Sequence, residues 1–317
     1  MSSIRTISGE IPSQELGFCQ CHEHLMIRKG VPYEVNPALF MDNIEKSKQE
    51  LLQYRAAGGC SLIDAQPIGC GRMEYALGQL SEETRVNILC STGFHKLCFY
   101  PERHWIHTYS SEKLADIYVH EIEKGMFTGC DAEEPGDFCS FKANMIKTAL
   151  DTEGLTERYR RLFDAAIAAN LKTGISIMIH VERGSDPLQL LDYITARGVP
   201  AGKLIFCHLD RACDDIGIIK NLLCKGVFAE LDTIGRFKYH SDEREIEIIK
   251  ELLAAGYQRQ NLCSLDTTRE RMRAYTPDAV GLDYILKAFI PLMRDSGIAE
   301  EQIHNFFYEN CISALEI

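Results

Sequence analysis

The chain of 317 residues alternates between short apolar segments and longer stretches with helical spacing. Segments such as GISIMI and KLIFC are apolar at nearly every position, which is typical of strands covered on both faces. Repeated strand-then-helix units predict parallel strands joined by helical crossovers. The predicted strands are 17–25, 60–65, 86–92, 143–150, 175–180, 203–208, 227–232 and 261–266. The predicted helices are 42–57, 111–125, 214–224, 243–255 and 282–294, two that begin at 156 and 186, and a closing helical pair within 300–317.

Eight such units fit an α/β fold of the closed (β/α)8 TIM-barrel type, which takes about 250 residues or more. We therefore predict a single domain over residues 1–317, with the C-terminal helices closing the barrel. An open, doubly wound sheet is the alternative. That fold usually carries a glycine-rich first loop, and the first loop here reads HEHLMIRKG.

The net charge of −12 argues against a nucleic-acid partner, because phosphates attract basic surfaces. A local group of lysines and arginines can still bind an anionic small molecule. The thirteen cysteines include no Cys-x-x-Cys pair and lie mostly in apolar segments, which favours buried free thiols. The amino terminus is polar and no apolar run approaches membrane-spanning length, so we expect a cytoplasmic protein without a membrane partner. A homodimer is compatible with the sequence.

Six polar residues stand at or near the ends of predicted strands. The carboxyl ends of barrel strands are where catalytic groups collect. Each residue alone also fits a structural role, so the hypothesis depends on their joint placement. Four imidazoles at one rim favour a divalent ion such as zinc, and manganese and cobalt also suit these ligands. The six candidate metal ligands are His22, His24, Lys147, His180, His208 and Asp266.

The His22–Glu23–His24 segment ends the first predicted strand. In a regular strand, residues two apart share a face, so Gln20, His22 and His24 should point one way and Cys19 and Cys21 the other. This alternation argues against a mixed cysteine and histidine zinc site.

Lys147 and Asp266 stand at positions that a simple structural role explains poorly. A buried ammonium among cations is strongly disfavoured, but addition of carbon dioxide to the Lys147 amine would give an anionic carbamate. A carbamate can bridge two metal ions about 3.5–4 Å apart. Lys142 is the rival lysine, nearer the start of the strand. Asp266 precedes its helix by too far to be a simple cap, so it is a candidate metal ligand and catalytic proton acceptor.

The ordered set of six residues, together with the run HEHL and the run HLDR, resembles the phosphotriesterase family of the amidohydrolase superfamily. The similarity continues in GCGRMEYAL, STGFH, LTERYRRLFDAA and GLDYILKAFIPLM. The resemblance implies a distorted eightfold barrel with two divalent metal ions and a hydroxide between them. It also implies a role for each ligand: His22, His24 and Asp266 would hold the more buried ion, His180 and His208 the more exposed one, and carboxylated Lys147 would bridge them.

The substrate must be read from the loops. Lys238 and Arg269 follow the seventh and eighth predicted strands, and two cations there could bind a phosphate or carboxylate. The pair resembles the phosphate-contacting positions of a subgroup that opens phosphorylated sugar lactones, except that Met272 stands where that subgroup has a tyrosine. His95 is a further candidate for substrate contact, as is Lys96.

The sequence thus predicts a binuclear-metal lactonase in which the bridging hydroxide attacks an anionic, phosphorylated sugar lactone and Asp266 accepts the proton. Hydrolysis of phosphotriesters or neutral carboxylic esters is the first alternative, and it would favour an apolar pocket. A barrel that only binds a ligand is the second. Loss of a metal ligand would mark that case, and none of the six is missing.

Overall fold

Eight parallel strands form the centre of the computed structural model, which describes residues 2–317. Each of these strands pairs with the next one along the chain, and β3 to β10 follow one another in order. The Asp266 amide donates to the His22 carbonyl at 3.0 Å, so the last strand returns to the first. The sheet is therefore a nearly closed barrel, and the predicted TIM-type fold is confirmed.

An antiparallel hairpin precedes the barrel. It consists of β1 (Ser3–Thr6) and β2 (Gly9–Pro12). The barrel strands are β3 (Cys19–Glu23), β4 (Ser61–Asp64), β5 (Asn87–Gly93), β6 (Met145–Leu150), β7 (Ile177–Val181), β8 (Leu204–Cys207), β9 (Phe228–Leu231) and β10 (Asn261–Cys263).

Twelve α-helices within residues 2–317 surround or cap the barrel. They are α1 (Val31–Val35), α2 (Ile44–Ala56), α3 (Glu74–Thr84), α4 (Ser111–Glu123), α5 (Glu157–Thr173), α6 (Pro187–Thr195), α7 (Leu209–Ala212), α8 (Ile216–Leu223), α9 (Asp242–Ala254), α10 (Ile290–Asp295), α11 (Glu300–His304) and α12 (Asn310–Leu315). Two π-helical turns, Ile285–Phe289 and Asn305–Glu309, run directly into α10 and α12. No helix within residues 2–317 is both long enough and apolar enough to cross a membrane.

Side-chain caps explain why several helices begin where the sequence suggests. Asn43 accepts the Lys46 amide at the start of α2, and Ser241 accepts the Arg244 amide at the start of α9. Such caps satisfy amides that have no partner inside the helix. Gly174 ends α5 with φ 73°, a left-handed conformation that glycine adopts without steric cost.

Three helices were not predicted: α3, which connects β4 to β5, and the short α1 and α7. The β1–β2 hairpin was not predicted either. The predicted closing helical pair within 300–317 corresponds to α11 and α12, which the π-helical turn Asn305–Glu309 joins without a break.

Two layers of buried side chains explain how the barrel is filled. Strand residues that face outward pack with the helices in one large cluster. Those that face inward, such as Leu89, Met178 and Leu262, pack with Cys311 and Leu315 of α12. The Ser176 hydroxyl, just before β7, donates to the Ala314 carbonyl at 2.6 Å. Helix α12 therefore covers the amino-terminal end of the barrel.

Strand β3 departs from regular alternation. Its register against β4 shifts between Gln20 and Glu23, as a β-bulge requires. Cys19 and Cys21 pack in the inner cluster, while the Gln20 amide group donates outward to the Leu282 carbonyl at 3.1 Å. Gln20 therefore lies opposite the two cysteines, as predicted. The prediction that it shares a face with His22 is wrong, because the extra residue changes the alternation after Cys21.

Candidate metal centre

The structure gathers the six predicted ligands at the carboxyl end of the barrel. His22 and Lys147 lie within β3 and β6, and His180 lies within β7. His208 follows β8 with φ 65°, and Asp266 follows β10 with φ 50°. Residues other than glycine seldom adopt positive φ, and they keep it only where the surrounding structure stabilises that conformation. Such residues are found most often at functional sites.

His22, His24 and Asp266 form one close group. The Asp266 Oδ1 atom lies 3.7 Å from His22 Nε2 and 3.6 Å from His24 Nε2. The three ligand atoms lie within 4.8 Å of one another and are buried. Neither His22 Nδ1 nor His24 Nδ1 has a hydrogen-bond partner among the described residues. Two imidazoles and a carboxylate converging in this way are a donor set that fits a divalent ion.

Lys147 lies below this group and is fully buried. Its Nζ atom is 3.0 Å from His22 Nε2 and 3.6 Å from Met178 Sδ, and it forms no ion pair with a carboxylate in residues 2–317. A buried ammonium without a counter-ion is energetically unfavourable. Conversion of the amine to a carbamate would replace that positive charge with a negative one beside the imidazoles, so Lys147 also fits a metal-bridging role.

His180 and His208 continue the cluster toward solvent. Their ring centroids lie 4.4 Å apart, and the His208 ring lies 4.8 Å from the His22 ring. His208 Nδ1 is 2.7 Å from an Asp232 carboxylate oxygen, and His180 Nε2 is 3.3 Å from Glu182. A carboxylate behind a histidine is the usual way of fixing the orientation of a metal-binding imidazole.

The electrostatics of the cluster favour neutral imidazoles. Burial lowers the pKa of His24 to about 4 and the pKa of His180 to about 4, and neighbouring cations add to the effect. Burial and the Lys147 charge hold the pKa of His22 well below its usual value. Since metal binding requires an unprotonated nitrogen, these histidines keep their ligand atoms available near neutral pH.

Two arginines determine the state of Asp266, and neither was predicted from the sequence. Arg211 lies 2.7 Å from Asp266 Oδ2, and Arg236 lies 2.9 Å from the same atom. Burial would raise the pKa of Asp266, but Arg236 and Arg211 outweigh it and hold that pKa well below its usual value. Arg211 also contacts Asp232 at 2.8 Å.

Two weak sequence signals could have pointed to these residues. Arg211 stands in the HLDR run, and Asp232 ends the seventh predicted strand as Asp266 ends the eighth. The roles of Arg211 and Asp232 become clear only from the tertiary contacts, because the sequence does not show which carboxylates Arg211 pairs with.

A cavity of about 450 Å³ opens above the cluster. His22, His24, His180, His208 and Asp266 line it, as do the predicted substrate contacts Lys238 and His95. Lys96 also lines the cavity, and its Nζ atom pairs with Glu182 at 2.6 Å.

Arg269, the other predicted substrate contact, does not line this cavity. Its guanidinium lies 5.8 Å from the centroid of the Phe40 ring. Arg271 lines the cavity instead, and it is only 6% exposed. Its Nε atom has no hydrogen-bond partner, and the side chain forms no ion pair with a carboxylate in the described residues. Met272, which stands where a tyrosine was expected, is fully buried.

These features define a TIM-barrel protein with a candidate binuclear metal centre at the carboxyl mouth. The sequence model of the Phosphotriesterase family matches residues 2–315, and the chain belongs to that family. This confirms the resemblance found in the sequence.

The comparisons with individual proteins agree with this assignment. The chain is 27% identical to the phospho-furanose lactonase of Mycoplasmopsis agalactiae, over 97% of this chain and 89% of that one. It is 28% identical to the phosphotriesterase homology protein of Escherichia coli, over 93% and 96% of the two chains. Among solved structures, an amidohydrolase from Mycoplasma synoviae superposes with a TM-score of 0.94 at 25% identity, covering 100% of this chain and 92% of that one.

Proposed function

We propose that this protein, a hydrolase of ester or amide bonds, opens the ring of an anionic, phosphorylated sugar lactone. The observation that carries the proposal is the lining of one cavity. Neutral imidazoles and the Asp266 carboxylate lie at its base, and its wall includes Lys238 and Arg271, which form no ion pair with a carboxylate in residues 2–317. The phospho-furanose lactonase relative supports the choice of substrate class.

The proposed ion ligands follow from the two ends of the cluster. His22, His24 and Asp266 would hold one divalent ion, and His180 and His208 the other. Lys147 would bridge them after its amine adds carbon dioxide and loses a proton. When bound, two divalent ions supply a water that ionises near neutral pH and a Lewis acid that polarises a carbonyl oxygen. Zinc suits the donor set, as do manganese and cobalt.

Asp266 is the proposed proton carrier. Its low pKa keeps it ionised, so it can accept the proton of the attacking water and return it to the ring oxygen that leaves. Arg236 and Arg211 have a positioning role, since they bind the Asp266 oxygen that faces away from His22 and His24. No covalent bond between enzyme and substrate is needed.

Substrate selection is assigned to the cationic wall. Lys238 and Arg271 both line the cavity, and Arg271 forms no ion pair with a carboxylate in residues 2–317. A desolvated guanidinium binds phosphate well, because its planar donors match two phosphate oxygens. We place the substrate anion against these two side chains. Arg269, predicted from the sequence, has weaker support because its guanidinium lies over Phe40.

A paired substrate panel tests the proposal. Phosphorylated and unphosphorylated forms of the same lactones are compared, using metal-reconstituted protein prepared with bicarbonate. Lys238→Met and Arg271→Met should each lower kcat/KM for the phosphorylated lactone by about 10- to 100-fold, the value of a hydrogen bond to a charged group. The matched control is Arg244→Met, since Arg244 pairs only with the exposed Glu247 at 2.8 Å.

Three results would contradict this assignment. Equal rates on both forms of each lactone would remove the role of the cationic wall. Activity restricted to neutral esters or phosphotriesters would favour the first alternative. Metal content well below one ion per chain in protein purified without chelator would favour a barrel that only binds ligand.

A further inference from the structure

A second group of polar side chains lies outside the six proposed ligands. Asp210 belongs to α7, His240 stands in the loop before α9, and Glu245 belongs to α9. One ligand atom from each lies within 4.8 Å of the other two. Asp210 is 7% exposed and Glu245 is fully buried.

The polar atoms of this group lack partners. Neither Glu245 oxygen has a hydrogen bond within residues 2–317, and the same holds for Asp210 Oδ1 and His240 Nε2. His240 Nε2 lies 3.3 Å from Glu245 Oε2, without the geometry of a hydrogen bond. Buried carboxylates are normally hydrogen-bonded or paired, so several unsatisfied atoms that converge on one point call for an occupant.

The charges around the group make that occupant a cation. Neither Asp210 nor Glu245 forms an ion pair with a lysine or arginine in the described residues. Arg211, which directly follows Asp210 in the sequence, forms its ion pairs with Asp232 and Asp266. The neighbouring carboxylate Asp242 adds negative charge, and its partners are the Gly235 amide and the Tyr284 hydroxyl.

We propose that Asp210, His240 and Glu245 bind a divalent cation at a site separate from the barrel mouth. Two carboxylates and one neutral imidazole balance the charge of such an ion, with water completing the coordination. The mixture of nitrogen and oxygen donors suits zinc and also manganese or cobalt. His240 is the exposed side of the group, with 15% of its side chain accessible, so the ion can enter there.

The site would tie together two segments that shape the active cavity. Helix α7 directly follows His208, and the loop before α9 carries Arg236 and Lys238. The Asp210 carboxylate already accepts the Thr233 amide at 2.6 Å. An ion held by Asp210, His240 and Glu245 would fix this loop against α7, and it would stabilise the folded chain because the unfolded chain lacks the site.

Ion counting tests the proposal. Wild-type protein and the His240→Gln and Glu245→Gln variants are stripped with chelator and dialysed against Zn²⁺, and zinc per chain is measured by mass spectrometry. Each variant should bind one zinc fewer than wild type. The matched control replaces the exposed pair His304 and Glu309, also 3.3 Å apart, by glutamine, and it should bind as much zinc as wild type. The His240→Gln and Glu245→Gln replacements are also made in a protein that already carries His22→Asn and His24→Asn. If each still removes one zinc there, the lost ion is not the one at the barrel mouth.

Thermal unfolding gives a second readout that does not depend on activity. Added Zn²⁺ should raise the Tm of stripped wild type more than that of His240→Gln, which retains both carboxylates. Equal zinc counts in wild type and His240→Gln would overturn the proposal. A second result would also overturn it: a Glu245→Gln variant that keeps its zinc and, after stripping with chelator, is more stable than stripped wild type. That result would mean that Asp210 and Glu245 share a proton instead of binding an ion.

Discussion

The two ends of the barrel are built from the same strands but have opposite character. At the amino-terminal end, Leu89, Met178 and Leu262 pack against α12. At the carboxyl end, β6 and β7 present Lys147 and His180, and Asp266 follows β10. Lys147 is buried and forms no ion pair with a carboxylate in residues 2–317. The first arrangement lowers the free energy of the folded chain, whereas the second is unfavourable without a ligand. The carboxyl end is therefore the end of the barrel at which a bound ligand would stabilise the folded chain.

Replacement of Lys147 should give the largest contrast between the two ends. Lys147→Met removes a buried ammonium and fills the same space with an apolar chain. We expect hydrolysis to be abolished while the Tm of the ion-free protein rises. Differential scanning calorimetry and a lactone assay measure both. A variant that stays active would exclude the bridging role of Lys147.

Asp266→Asn tests the proton carrier at the carboxyl end. The amide keeps the shape of the side chain but cannot accept the proton of the attacking water. We expect kcat to fall by about 10²–10⁴-fold, the usual contribution of a positioned general base. Metal content is measured in parallel, since retained ions with lost turnover would separate proton transfer from metal binding. A kcat within threefold of wild type would refute the assignment.

Leu89→Ala tests the amino-terminal end. Leu89 is fully buried in the inner cluster, so its truncation should lower the free energy of unfolding by about 2–5 kcal/mol. The kcat of the folded fraction should not change. Leu171 is 54% exposed, and Leu171→Ala is the control with little effect expected. Urea titration measures both variants, and a large loss of kcat at unchanged stability would mean that the two ends are coupled.

A pH titration of the ion-free protein tests the protonation state of the buried histidines. His24 and His180 have folded-state pKa values of about 4, below the value of about 6.5 in an unfolded chain. Their contribution to stability is therefore complete above pH 6.5 and is lost as pH falls toward 4. The free energy of unfolding should decrease over that interval, less steeply in His180→Asn. Equal slopes in the two proteins would contradict the low pKa of His180.

Much of the fold could be predicted from the sequence, since each of the eight barrel strands overlaps a predicted segment, and only β5 and β7 extend one residue beyond it. The errors have physical causes. Helix α3 follows the irregular GCGRM segment, which hides where the helix begins. The alternation predicted for His22 failed because a β-bulge adds a residue without any mark in the sequence.

The site was predictable only in part. The six predicted ligands do meet at one end of the barrel, while their role in metal binding stays a prediction. Arg211 and Arg236 were missed because their partner Asp266 is 55 residues or 30 residues away along the chain, and only folding brings them together. Of the two arginines in the short helical turn Arg269–Arg271, it is Arg271 that lines the cavity, whereas Arg269 lies near the Phe40 ring.

The sequence by itself determined the repeated strand–helix pattern and which polar residues stand at the ends of the strands, because both follow from local periodicity. The tertiary structure alone decided which charges meet. Burial and neighbouring cations lower the pKa of the histidines, Asp266 is held between two arginines, and Asp210, His240 and Glu245 converge without a partner. Such effects depend on distances across the fold, and electrostatic energies change with distance and burial rather than with separation along the chain.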